Sequence, residues 1–385
     1  MQSGTWLLRL AVVPLLLGSG QGPVSVSDTV RVGDVARAYH VQYPVGALPE
    51  NGWPVVFSFH GWLGDAVGQM YYDKFRLYGS ASAIVIHGEG YSDPISPGWI
   101  PGDRWKSWNG AGSAGAGMNG GEDGPICKPE AVEEGGWQCY RSCRDRGVCT
   151  GSGVGADRCT WSHCEDDVAF TLAMLERVKA NSRVDPSRIF ATGISNGGQF
   201  VYELASDPRS AGIFAAIAPV SGLPHNGFNR GTPNKKMRFL DIGGTQDTFV
   251  WHFPNVPQDG TKSYGDCCGW YYSNWRNTTA LWAAQKGLPE SGLVEVRNRR
   301  GLTCQGWSPD GTAESADVGF CLYVGPHGCP QFVWKLVWDF FGLHVSADDD
   351  ESGSRGPLLA GMAALALVLV CCCMRRRPRA KVAAD

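Results

Sequence analysis

Six short apolar runs punctuate the chain: Val55 to Phe59, Ala83 to His87, Arg188 to Thr192, Phe214 to Val220, Met237 to Ile242 and Phe320 to Val324. Continuous apolar stretches of this kind, bounded by turn residues, predict strands buried on both faces. Between them the period changes. Asp166 to Ala180 reads as a helix. Gln199 to Ala205 sets Phe200, Val201, Leu204 and Ala205 on one side, and Phe332 to Phe341 is a further helical pattern. Strands alternating with helices predict an α/β fold, a mostly parallel central sheet with helices on both faces. The 385 residues suffice for one such domain plus extensions.

One strand-to-helix joint carries chemistry. Arg188 to Thr192 runs into Gly193-Ile194-Ser195-Asn196-Gly197, and the helical pattern at Gln199 follows. The spacing G-x-S-x-G is that of a nucleophile elbow. Its serine stands on a turn so sharp that the residues two positions to either side must be small. A glycine-rich turn with an incidental serine reads the same way in isolation; strand, turn and helix in order favour the elbow, and with it an α/β-hydrolase fold.

The acid and base should follow in the order Ser, Asp, His, on loops after later strands. Asp247 ends Gly243-Gly244-Thr245-Gln246-Asp247, just past the Met237 to Ile242 strand. His327 lies in Gly325-Pro326-His327-Gly328, between the last strand and the last helix. Asp is also common in turns, and His225 is a weak rival to His327. His40, His163, His252 and His344 have no comparable context. Upstream, His60-Gly61-Trp62-Leu63-Gly64 follows the Val55 to Phe59 strand. A loop there supplies one backbone N–H of an oxyanion hole, and the residue after the serine supplies the second. The expected donors are Trp62, with Leu63 the alternative on that loop, and Asn196, with His60 a structural residue of the loop.

Four stretches resemble the secreted family that groups polyhydroxybutyrate depolymerases with feruloyl esterases: Pro54 to Gly61, Asp167 to Gly198, Phe214 to Gly222, and Gly244-Thr245-Gln246-Asp247. The likeness spans roughly residues 30–342, interrupted by one large insert. At the histidine the chain reads Gly-Pro-His-Gly-Cys-Pro, where the family commonly has Gly-Gly-His with Trp-Pro beyond. No Cys stands beside Ser195 or His327, which argues against the tannase-like feruloyl esterases. The resemblance implies hydrolysis of feruloyl or acetyl esters on polysaccharide, or of polyhydroxyalkanoate.

The ends speak about location. Residues 1–20 carry Arg9, an apolar run and Gly18-Ser19-Gly20, and read as a secretory signal peptide. Residues 24–345 form the catalytic domain, with a Gly-, Trp- and Cys-rich insert over 99–164. Residues 346–356 are a polar, acidic stalk. Residues 357–374 contain the uncharged run Leu358 to Met374, roughly 25 Å of helix and within reach of a membrane span. The arginine-rich tail 375–385 then marks the cytoplasmic side. A glycolipid-anchor signal is the rival, since Ser352-Gly353-Ser354 are small, but the basic cap fits it poorly. The expected topology puts the catalytic domain outside the cytoplasm, at the cell surface or in an endomembrane lumen.

Cysteines agree with an oxidising compartment. Six crowd the insert: Cys127, Cys139, Cys143, Cys149, Cys159 and Cys164; Cys267, Cys268, Cys304, Cys321 and Cys329 follow. They read as disulfide candidates with pairing unassigned. A zinc site around Cys139/Cys143 and Cys159/His163/Cys164 is the competitor. An odd number outside the span leaves one cysteine free or paired between chains. Asn277-Thr278-Thr279 is a glycosylation sequon. The insert leaves a strand end on the catalytic side. Trp105, Trp108, Trp137 and Trp161 could therefore stack on a phenolic acyl group or a sugar, or pack the insert itself.

A net charge of −3 and the absence of a basic run in the body give no sign of nucleic-acid binding. The reading is a membrane-tethered serine esterase that needs no metal or organic cofactor. A serine peptidase of the same fold and a surface binding protein that kept the fold are the alternatives.

Overall fold

The computed structural model describes residues 24–75, 82–93, 106–114, 126–127, 140–148, 161–250, 252, 262–264, 270–299, 301–313 and 316–343. In chain order the strands are β1 (Val24–Val32), β2 (Val35–Tyr43), β3 (Trp53–Phe59), β4 (Ile84–Gly88), β5 (Tyr91–Ser92), β6 (Lys106–Ser107), β7 (Val184–Ile194), β8 (Ala216–Val220), β9 (Arg238–Gly244), β10 (Lys262–Tyr264), β11 (Tyr271–Ser273), β12 (Leu293–Arg299), β13 (Leu302–Trp307) and β14 (Val318–Tyr323). The helices are α1 (Ala66–Asp73), α2 (Arg141–Asp145), α3 (Asp167–Asn181), α4 (Asn196–Ser206), α5 (Trp275–Gln285) and α6 (Gln331–Phe340).

Ten strands form one sheet in the order β1-β2-β4-β3-β7-β8-β9-β14-β13-β12. The six central strands, β4 to β14 in that order, are parallel, with antiparallel strands added at each edge. The apolar runs are the parallel strands because each side of the sheet is covered. On one side Val55, Phe57, Phe59, Ile189 and Ala191 pack with Phe170 and Met174 of α3 and Phe200, Val201 and Leu204 of α4. On the other, Val56, Val85, Phe190, Ala218 and Ile242 pack with Phe75 and with Val333, Trp334, Val337 and Trp338 of α6. Successive side chains of a strand point to opposite faces, so both must be apolar when both faces are buried.

Parallel pairing aligns the strand ends. Phe59 lies opposite Gly193, Ile194 opposite Val220, Val220 opposite Ile242, and Gly244 opposite Tyr323. Loops leaving β3, β7, β8, β9 and β14 therefore emerge on one edge of the sheet, where ligand sites of open α/β sheets form.

Two disulfides are described: Cys143–Cys164 within the insert, and Cys304–Cys321 between paired residues of β13 and β14. Cys127 is also disulfide-bonded. Cys329 corrects the expectation for that position: it is a buried free thiol. It starts the turn into α6, where its Sγ lies 3.7 Å from Pro330 O. Cys139, Cys149, Cys159, Cys267 and Cys268 lie outside the described residues, as do Trp105, Trp137, the signal segment 1–20, the stalk, the apolar run 357–374 and the basic tail. Among the described residues no helix is long and apolar enough to cross a membrane, and no cluster of His, Cys, Asp and Glu has the makings of a metal site. Asn277 is exposed in the first turn of α5, whereas Thr279 of the sequon is buried, its Oγ1 donating to Trp275 O and Arg276 O.

Candidate active site

Ser195 joins β7 to α4 with φ 57° and ψ −120°. A non-glycine residue there is strained, and such strain persists only where the surroundings over-determine it. Here they do. Ser195 N donates to Val220 O at 2.8 Å, and Gln199 N donates back to Ser195 O at 2.9 Å. A Cβ at Gly193 would sit 2.6 Å from Gly197 C, and one at Gly197 would strike Phe59 O and His60 O. The two glycines of the motif are small because backbone passes directly over them.

Asp247 follows β9. Its Oδ1 accepts from the N–H groups of Phe249 at 2.8 Å and Val250 at 2.9 Å. That leaves Oδ2 for His327, whose Nδ1 lies 2.8 Å away. Asp247 is fully buried and the His327 side chain is 11% exposed. The Phe249 ring lies against the imidazole, 5.0 Å between centroids. Nδ1–H donating to the carboxylate leaves Nε2 as the acceptor that a general base requires.

The loop after β3 is held from within. His60 Nδ1 lies 2.7 Å from Gly61 O, and its Nε2 accepts from Gly90 N at 2.9 Å. Donor on one side and acceptor on the other specify a neutral ring, and burial lowers its pKa. His60 is thus a loop-fixing residue. Leu63, the second-choice oxyanion donor, is ruled out because its N–H donates to Lys106 O at 2.9 Å. Trp62 lies half-buried on the same loop. Asn196 N–H is the first of α4 and has no partner within the helix, so it sits at the positive end of the helix dipole.

The insert reaches the elbow. Asn196 Oδ1 accepts from Trp108 N at 2.7 Å, and its Nδ2 donates to Trp108 O at 2.9 Å. The Trp108 indole N–H donates to His60 O at 2.9 Å, and its ring stacks on Phe200 and Phe170. Trp108 is fully buried, which removes it from the candidate substrate platforms: it is core. Trp161 is buried as well, edge-on to Trp62 with 6.1 Å between centroids. Its indole N–H donates to His225 Nε2 at 2.7 Å, while His225 Nδ1 lies 2.9 Å from Tyr271 O. Burial holds His225 down at about 4, so it is a neutral bracket between the insert and β11, not a rival base. Neither this bracket nor the Asn196–Trp108 pair was readable from the motifs; the only signal was an amide side chain directly after the serine.

A mostly parallel sheet with a strained serine between strand and helix, and an Asp–His pair on later strand-end loops, defines an α/β-hydrolase. No family profile matches the chain. Over 183 residues, 46% of the chain, it is 38% identical to a probable feruloyl esterase C of Aspergillus niger, and over a similar stretch 31% identical to feruloyl esterase C of Emericella nidulans. The chain spans 57% of the length of these relatives. A solved acetyl xylan esterase from Aspergillus awamori aligns with 83% of the chain and 99% of its own length, at 15% identity and a TM-score of 0.47. Over the 183-residue stretch the chain is similar to these feruloyl esterases.

Proposed function

We propose that this protein is a serine carboxylic-ester hydrolase that works through an acyl-enzyme. The observation that supports this most directly is the Asp247–His327 pair on the same sheet edge as the strained Ser195. Ser195 Oγ attacks the ester carbonyl. His327 Nε2 takes the proton and passes it to the leaving alcohol. Asp247 holds the imidazole in the tautomer that exposes Nε2, and the N–H groups of Trp62 and Asn196 receive the oxyanion. Water, activated by the same histidine, releases the acid.

Feruloyl esters are the favoured substrates, because the curated relatives bear that name, with acetyl esters on polysaccharide as the further class the sequence resemblance implies. The domain limits, the signal segment, the membrane tether at 357–374 and glycosylation at Asn277 belong to the same proposal. Buried disulfides suit an extracellular or lumenal domain.

The test is hydrolysis of p-nitrophenyl acetate and methyl ferulate by the full chain. Ser195→Ala should abolish both while the thermal melt is retained. Turnover equal to wild type in that variant removes the proposal.

A further inference from the structure

The loop that carries His327 is gripped by three hydroxyl groups, none of which touches the imidazole. Tyr323, the last residue of β14, is fully buried. Its hydroxyl donates to Gly328 O at 2.6 Å and lies 3.1 Å from Pro326 O. These are the carbonyls on either side of His327. Ser221 Oγ donates to the same Gly328 O at 2.9 Å and lies 3.0 Å from the Tyr323 hydroxyl. From the far side Tyr72 of α1 accepts the N–H of Cys329 at 2.9 Å.

Ser221 has the more informative position. It follows Val220, whose carbonyl accepts the N–H of Ser195, and its own N–H donates to Ile242 O at 2.7 Å. Its φ is 47°, in the left-handed region that a non-glycine residue avoids. The next residue is equally constrained, since a Cβ at Gly222 would strike Ser195 O. The turn after β8 therefore holds the serine's backbone with one residue and the histidine's loop with the next. Loop length does not account for a strained, buried serine whose hydroxyl ends on a carbonyl next to the candidate base.

We propose that Ser221 and Tyr323 are positioning residues: their paired hydroxyls set the distance between the nucleophile elbow and the His327 imidazole by clamping Gly328 O. The inference rests on the esterase reading above. A shift of about 1 Å in a reacting group can cost roughly a hundredfold in rate, which is the scale on which such a clamp acts.

The experiment uses Tyr323→Phe and Ser221→Ala in the full chain, with Ser195→Ala as the reference for that reading. In each folded variant kcat for p-nitrophenyl acetate should fall roughly tenfold to a hundredfold, with KM within about twofold. The low-field proton resonance of the His327–Asp247 hydrogen bond, assigned by its absence in His327→Ala, should shift or broaden. Unchanged kcat in either folded variant overturns the proposal. So does a fall in kcat matched by a rise in KM with the resonance unmoved, which marks general loosening. Failure of both variants to fold overturns it as well, making the hydroxyls folding determinants. If wild type shows no turnover dependent on Ser195, the esterase reading fails by itself, and the resonance still reports whether the hydroxyls place the imidazole.

Discussion

The Asn196 side chain and the Trp108 backbone form a reciprocal pair, the amide oxygen accepting Trp108 N–H at 2.7 Å and the amide nitrogen donating to Trp108 O at 2.9 Å. The residue whose backbone is a candidate oxyanion donor is thus oriented by the first segment of the insert. The insert is fastened to the chemistry at its root, whatever its outer part does for the substrate.

Asn196→Ala is expected to leave the buried N–H of Trp108 unsatisfied, while Trp108 O keeps the Ser113 hydroxyl at 3.2 Å. Such a group costs about 1–3 kcal/mol, so a denaturant melt should show a loss of that order. The kcat for small esters should fall with it, because the first N–H of α4 loses its lateral support. Stability and kcat both at wild-type levels would show that the pair is incidental.

Asp247→Asn keeps the size of the side chain, and its Oδ1 can still accept from Phe249 and Val250. The NH2 group then faces His327 Nδ1 and forces the proton to Nε2, the wrong side for a base. A fall in kcat of about 10^4 at neutral pH is expected, by analogy with serine hydrolases, with the melt little changed. A loss below about tenfold would mean that another group orients the imidazole.

Gly197→Ala has no room at all, because its Cβ would strike the carbonyls of Phe59 and His60. Neither is a side chain that can swing aside. The expected outcome is loss of soluble folded protein, or a folded protein without activity. An active, stable Gly197→Ala would require a backbone path through the elbow different from this one.

Stability should decline on the acid side of neutrality. His225 is held neutral at about 4 by burial, against an ordinary value of 6.5. Below pH 6.5 the unfolded chain takes up a proton on this ring and the folded chain does not. Its stabilising share is therefore intact above 6.5 and is lost as pH falls towards 4, to a total of roughly 3 kcal/mol. Burial shifts His60 and His163 in the same direction, while His252, raised by Asp241 and Asp247 against its own desolvation, works the other way. Melts from pH 7.5 to 4.5 should fall in wild type and fall less steeply in His225→Gln. Parallel curves would assign the acid sensitivity elsewhere.

Much of the sheet was legible because its parallel strands are covered on both faces and so are written as apolar runs. The edge strands were not. β12 has only exposed and half-buried positions, and β1 is largely exposed. Among the candidate site residues, Ser195, Asp247 and His327 could be read because each follows a visible strand. Ser221 and Tyr323 could not, because their contact joins positions 102 residues apart and nothing local marks it. The sequence left Trp108 between two roles for a related reason: a tryptophan in a glycine-rich insert looks the same whether it faces substrate or is buried against Phe200.

The alignment of five strand ends has a bearing on how the protein matures. The elements of the site come from positions 60 to 327, and each is placed by a neighbour distant in the chain, as Ser195 N is by Val220 O and Thr245 N by Tyr323 O. Ser195, Asp247 and His327 all lie in the second half of the chain, but β3, which pairs with β7 and leads into the candidate oxyanion loop, comes from the first. Folds dominated by such non-local pairings assemble slowly. Catalysis should therefore be the last property recovered on refolding, after helix content and after the bulk of the core, and an ester substrate becomes a probe for completion of the sheet.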